Sequence, residues 1–305
     1  MPRHEVEKLE MNAGSYGRVV YSALLTNALK SIRHACNKQQ KSVADALDWS
    51  VSKIIRIENG SVRISKTDLE ALLRYYEVKD KARIDELVIW AREARISGWW
   101  DKYKIPDKAF ELYTGYESGA TSIRMSQGLL VPGILQTESY AREVTSTYTT
   151  PDRVASVVLL RLERQKEVFA KAPEQYHFLD EAVIRRRVGD VMPDQLRHLV
   201  EVAQRPEMTI RVVPFTAGPH FGLRGPFVLL GFDVPLDNVL YLESARRGDL
   251  LVSEDDAVSG QGGATVDDAA DEIARYEDGF ESLGKLALDP ADSLELIERV
   301  AVETA

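Results

Sequence analysis

The chain has 305 residues, of which 44% are hydrophobic and 29% charged, and a formal net charge of −9 at pH 7. That is enough for two domains and a sizeable core. Its longest apolar runs, such as 157–160 and 227–230, are far too short to span a bilayer, and its single cysteine, Cys36, excludes an internal disulfide and a cysteine-rich zinc site.

The charge is unevenly spread. Residues 24–66 carry a net +5 and the remainder −14, with twelve acids against three arginines in 243–281. A basic head on an acidic body implies that only the head meets a polyanion. The opening MPRHEVEKLEMNAGS is polar and lacks an apolar h-region, so no secretory signal is expected. The expected compartment is the reducing cytoplasm, at the nucleoid.

Residues 1–22 lack periodicity and are expected to form a flexible tail. Residues 23–80 read as short helices. Leu25, Leu29 and Ile32 share one face, and Val43, Ala44 and Leu47 a second. Ile54 and Ile57 make a third, and Leu69, Leu72, Leu73 and Tyr76 a fourth. The stripe Ile84, Leu87, Val88, Ala91 predicts a further helix within 81–98, either a fifth helix of the head or a connector. Residues 99–305 are expected to form a larger α+β domain. Helices are predicted over 110–120, 138–147 (capped by Thr137), 152–172 and 192–204, with a turn at Pro132-Gly133. Strands are predicted over 176–179, 209–213, 227–231 and 239–242, close enough to form one small sheet. Residues 249–264 read as a solvated loop. Helices over 266–283 and 292–302 follow, the last capped by Asp292 or Ser293. The fold class is therefore an all-α N-terminal domain followed by a larger α+β domain.

The most informative stretch is QKSVADALDWSVSKIIRIEN, residues 40–59. Two helices crossing steeply need a small residue at closest approach, here Ala44, and apolar residues toward a shared core, here Val43, Leu47, Trp49, Ile54 and Ile57. Asp48 occupies the turn, and Ser50 is placed to cap the second helix. Lys53 and Arg56 could alternatively form the solvated face of a protein-docking bundle. The whole pattern, with the trailing IENG and the helix after it, resembles the lambda-repressor-like (XRE-type) helix-turn-helix family over about residues 24–77. Asp48 departs from the glycine usual at that turn, a position of frequent positive φ that aspartate tolerates. The resemblance implies that the second helix enters the major groove of operator DNA, with Val51, Ser52 and Arg56 facing bases, Ile55 beside them, and Gln40 and Lys53 on phosphates. It also implies a partly buried structural pair, Arg33 with Glu58, and a homodimer on inverted half-sites.

In the body, QGLLVPGILQTESYA, FLDEAVIRRRVGD and QRPEMTIRVVPFTAGPHFGLRGPFVLLGF occur in that order. Together they resemble the C-terminal domain of an actinobacterial regulator group that includes WhiJ-like, often antitoxin-like, proteins. In such families the gene commonly sits beside that of a small partner protein. No metal, cofactor or catalytic set is expected, since His4, His34, His177, His198 and His220 form no metal-binding spacing and no nucleophile elbow or phosphate loop is present. AGPHFGLRGP could cradle an anion near Arg224 or be a plain loop or hairpin. Asp180 and Glu181 beside Arg185, Arg186 and Arg187 could be a polar site or an ion-pair cluster. Trp99-Trp100 could be a ligand cage or a packing anchor. Two functions are expected ahead of a DNA-tethered enzyme. One is a regulator whose body senses a small molecule or protein partner. The other is an antitoxin-like protein that neutralises a small partner and autoregulates its operon, in which case that partner should co-purify.

Overall fold

The structure is a computed structural model, and it describes residues 16–243, 248–252 and 266–304. The head consists of α1 (Gly17–Ala35), α2 (Gln40–Leu47), α3 (Val51–Glu58), α4 (Lys66–Tyr75) and α5 (Lys81–Glu93). Leu25, Leu29, Val43, Ala44, Ile54, Ile57, Leu69, Leu72, Leu73 and Leu87 are all buried in its core. Short side chains cap the first turns. Ser50 accepts from the Lys53 amide, Ser65 from that of Asp68 and Asp80 from that of Ala82. Helix α5 packs on α1 and α4. Beyond its end, Arg95 Nη2 donates to Ile64 O at 2.6 Å and Arg63 Nη1 donates to Arg95 O at 3.1 Å, fastening the chain to the loop after α3.

A flexible tail over 1–22 extends too far. Helix α1 begins at Gly17, and Val20 and Tyr21 in its first turns are buried. Their cover comes from a distant element, α6 (Lys108–Glu117), which local periodicity could not reveal. The approach is close. A methyl group on Gly115 would lie 2.3 Å from Val19 Cγ2, and one on Gly119 would lie 1.9 Å from Tyr16 O. Residues 1–15 of the expected tail lie outside the described residues. A short 3₁₀ helix, Trp99–Tyr103, seals the same junction. Trp100 is buried beneath the Arg18 guanidinium, 5.1 Å from the ring, and Arg18 is paired with Asp101 at 2.6 Å. Trp99 Nε1 donates to Ser118 Oγ at 3.2 Å. The two tryptophans are a packing anchor, and head and body share one continuous apolar core.

The body holds a six-stranded mixed sheet of order β3-β2-β1-β4-β5-β6, with β1 (Ser122–Gln127), β2 (Glu174–Asp180), β3 (Met208–Val213), β4 (Phe227–Gly231), β5 (Val239–Leu242) and β6 (Asp249–Val252). Strands β1, β2 and β3 run parallel, and β4 pairs antiparallel with β1 at Met125↔Val228. Four strands fall where the sequence predicts them. No strand is predicted over 122–127, yet the helix expected over 110–120 stops at Glu117 and the next residues form the central strand β1, whose backbone pairs with β2 and β4. Likewise 249–252 is a strand rather than loop, paired with β5 at Leu240↔Leu251, while 253–264 lies outside the described residues. Since β1 and β2 separate β3 from β4, residues 214–226 form a crossing connection and no hairpin.

The remaining helices are α7 (Glu138–Ser146), α8 (Pro151–Lys171), α9 (Glu181–Arg185), α10 (Met192–Val202), α11 (Val266–Leu286) and α12 (Pro290–Glu303). Thr137 caps α7. The cap of α12 is Asp289, which accepts from the Asp292 amide, because Pro290 suits the first helical position. Ser293 instead accepts from the Val212 amide at 3.0 Å. Strand β4 is buried throughout because its two faces meet different cores. Val228 and Leu230 join the core shared with the head, whereas Phe227 and Leu229 meet Ile273, Tyr276, Phe280 and Leu283 of α11.

Candidate nucleic-acid interface

The unit α2–turn–α3 is set by four local features. Ala44 is fully buried where the helices approach. Asp48 ends α2 in the left-handed region, φ 55°, and the Trp49 amide closes the turn on Ala44 O at 2.9 Å. Ser50 caps α3, whose Ile54 and Ile57 are buried and hold it down. At its far end the Glu58 carboxylate, 4% exposed, takes Arg33 Nε at 2.6 Å and Arg33 Nη2 at 3.0 Å in a bidentate pair. Gln40 Nε2 donates to the same carboxylate at 2.8 Å, and Arg33 Nη1 donates to Lys38 O at 3.0 Å. Burial first, and then the Glu58 carboxylate, push the neighbouring Tyr76 phenol far up, so it stays neutral against this cluster.

The outward face of α3 carries Val51, Ser52, Ile55 and Arg56. Val51 is 37% exposed and Ile55 42%, two β-branched apolar side chains left to water on an eight-residue helix. A merely solvated face does not require them there. Arg56 is exposed; its Nε donates to Ser52 O at 3.2 Å, and it has no acidic partner among the described residues. Lys53 differs. Its Nζ lies 3.6 Å from the centroid of the Trp49 ring and 2.8 Å from Asp68 Oδ1, which fastens α3 to α4 and partly neutralises the cation. Gln40, on α2, keeps one amide hydrogen beyond the one given to Glu58. The structure thus gathers Val51, Ser52, Ile55 and Arg56 on one open surface, and places Gln40 and Lys53 at its margin in contacts of their own.

The body's polar motifs are tied up internally. Glu181 pairs with Arg185 at 2.6 Å and accepts from the Phe215 amide at 2.8 Å, while Arg185 also reaches Glu303 at 3.1 Å. Asp180 caps α9 and holds His220 Nε2 at 3.1 Å. Arg224 lies over the Phe221 ring, 5.5 Å from its centroid. His177 is buried in β2 against Gln175, and burial pushes its imidazole down to about 3, so it is neutral. Among the described residues no three His, Cys, Asp or Glu side chains gather as a metal site, and no helix is long and apolar enough to cross a membrane. A cavity of about 450 Å³ lies between α6, α8 and the sheet, and none of the site residues expected from sequence lines it. Its walls come from positions as far apart as Phe110 and Glu243, so no local pattern announces it.

Residues 24–87 match the family model of a helix-turn-helix domain, and residues 110–261 match that of a domain of unknown function (DUF5753). Neither a search of curated proteins nor a search of solved structures found a match. The N-terminal part of the chain is a helix-turn-helix DNA-binding domain, and the chain is accordingly a DNA-binding regulator.

Proposed function

We propose that the protein is a sequence-specific regulator that lays α3 in the major groove of operator DNA. Arg56 donates bidentately to guanine O6 and N7, Ser52 hydrogen-bonds a neighbouring base edge, and Val51 and Ile55 pack on thymine methyl groups. Gln40 reaches a backbone phosphate with its remaining amide hydrogen, and Lys53 does so at the expense of its Asp68 contact. Phosphate contacts fix the register and base contacts supply the specificity. The observation that carries this reading is the exposed guanidinium of Arg56, without an acidic partner among the described residues and flanked by two exposed apolar side chains.

One such helix covers only about four or five base pairs, so the protein works as a homodimer on inverted half-sites. The acidic body opposes loose association with DNA outside such sites. For the body we infer a sensory role, in line with its resemblance to WhiJ-like regulators. A ligand or small protein partner with different affinity for two arrangements of the body shifts the half-site geometry. In support of this, α6 carries α1 on one face and lines the body's cavity with Phe110 and Tyr113.

The test is selection of bound sites from random duplexes with the parent protein and Arg56→Ala. The parent should enrich an inverted motif. The variant should lose about 1–3 kcal/mol on it and relax preference at one base pair per half-site. An unchanged preference would refute the assignment.

A further inference from the structure

The cavity between α6, α8 and the sheet has the build of a small-molecule site. Its volume of about 450 Å³ lies within the range of such pockets. Phe110 and Tyr113 from α6 and Tyr241 from β5 form an aromatic wall, with Tyr113 and Tyr241 stacked 4.3 Å apart. Two arginines of α8 line it, and their circumstances differ. Arg164 is neutralised, with Nε 2.5 Å and Nη2 2.7 Å from the two Glu117 carboxylate oxygens. Arg161 has no acidic partner among the described residues. It donates to two neutral acceptors, Gln136 Oε1 and the Tyr148 hydroxyl. Glu243 lines the same cavity; its carboxylate accepts from Gln127 Nε2 at 3.2 Å and its charge acts on the buried Arg164 guanidinium. At the rim Leu129 is 59% exposed and Tyr148 60%.

We propose that this cavity binds a flat, mainly apolar small molecule carrying one anionic group, its rings against Phe110, Tyr113 and Tyr241 and its anion on Arg161. The uncompensated guanidinium selects the charge, and the aromatic wall selects the flat body. This rests on the sensory reading of the body and names the chemistry sensed. Helix α6 is the shared wall. Its cavity side meets the ligand, while on the other side Gly115 packs against Val19 of α1, where a methyl group would lie 2.3 Å from Val19 Cγ2.

The 305-residue chain is titrated with anilinonaphthalene sulfonate, an anion built on a flat naphthalene ring, and with its uncharged counterpart N-phenylnaphthylamine, following dye fluorescence. Both should bind saturably at one site per chain. Arg161→Gln should weaken the anionic dye at least about tenfold while leaving the neutral dye within about twofold. Arg161→Lys should restore most of the anionic dye's affinity, and Leu160→Trp, which fills the cavity, should abolish both. Far-UV circular dichroism confirms that each variant is folded. Equal binding of the anionic dye by parent and Arg161→Gln overturns the proposal. So does failure of either dye to saturate the parent, which would leave the apolar rim to a protein partner. Affinity for the selected DNA motif, measured with and without saturating anionic dye, tests the sensory reading separately. Cavity binding that leaves DNA affinity unaltered contradicts that reading while the site stands.

Discussion

Replacing Glu58 by alanine removes the carboxylate that Arg33 and Gln40 share at the end of α3. Two guanidinium contacts at 2.6 and 3.0 Å and one amide contact at 2.8 Å disappear together, and Arg33, itself 8% exposed, loses the carboxylate that binds it bidentately. Breaking a buried bidentate pair from one side costs about 3–5 kcal/mol. Set against the roughly 5–15 kcal/mol of a typical domain, that is a large fraction of the total. Glu58→Gln retains an acceptor and the shape of the side chain, so its loss should be smaller, about 1–3 kcal/mol. The double variant Arg33→Met/Glu58→Leu removes both charges, returns the exposed Lys38 carbonyl and half-buried Gln40 amide to water, and should lie within about 1 kcal/mol of the parent. Urea unfolding of the full chain, followed by circular dichroism and tryptophan fluorescence, gives the three values. A loss below about 1 kcal/mol for Glu58→Ala would refute the reasoning, as would a double variant less stable than the single one.

Asp48→Gly relieves a left-handed residue at φ 55° and should raise stability by up to about 1 kcal/mol in thermal unfolding; a fall in midpoint would contradict it. Gly119→Ala drives a methyl group to 1.9 Å from Tyr16 O, a backbone atom that cannot rotate away, and should cost about 1–3 kcal/mol in urea unfolding. Wild-type stability there would mean that α1 and the body are not held as described. Burial lowers the folded-state pKa of His177 from the ordinary 6.5 to about 3, so the unfolded chain binds the extra proton first. Stability from this group is complete above pH 6.5 and falls as the pH drops toward 3, by up to about 1.4 kcal/mol per unit. Urea midpoints at pH 7 and 4.5 should therefore converge more closely in His177→Gln than in the parent; equal acid slopes in the two proteins would refute the assignment.

The helix-turn-helix was legible because everything that builds it lies within twenty residues of sequence. Ala44, Asp48, Ser50, Ile54 and Ile57 each act on neighbours a turn or two away. The body was less legible where partners are remote. In β1, SIRMSQ offers only Ile123 and Met125 as apolar residues, and its strand character comes from pairing with β2 some fifty residues later and with β4 a hundred later. Strand β6, DLLV, is too short and too acidic at its start to stand out from the loop around it. The first turns of α1 look unpatterned because α6 covers them, some ninety residues away. At the candidate interface, residue types predicted which side chains belong to α3, but not that Lys53 is drawn onto Trp49 and Asp68. That choice depends on α4, whose approach no α3 residue encodes.

Genomic footprinting of the bound full-length protein tests the central claim most directly, because it reports half-site sequence and spacing together. The account predicts protected sites built from two inverted half-sites of about four or five base pairs, with centres about one helical turn apart, and their loss with Arg56→Ala. Protection scattered over unrelated sequences, or an identical footprint from Arg56→Ala, would contradict it.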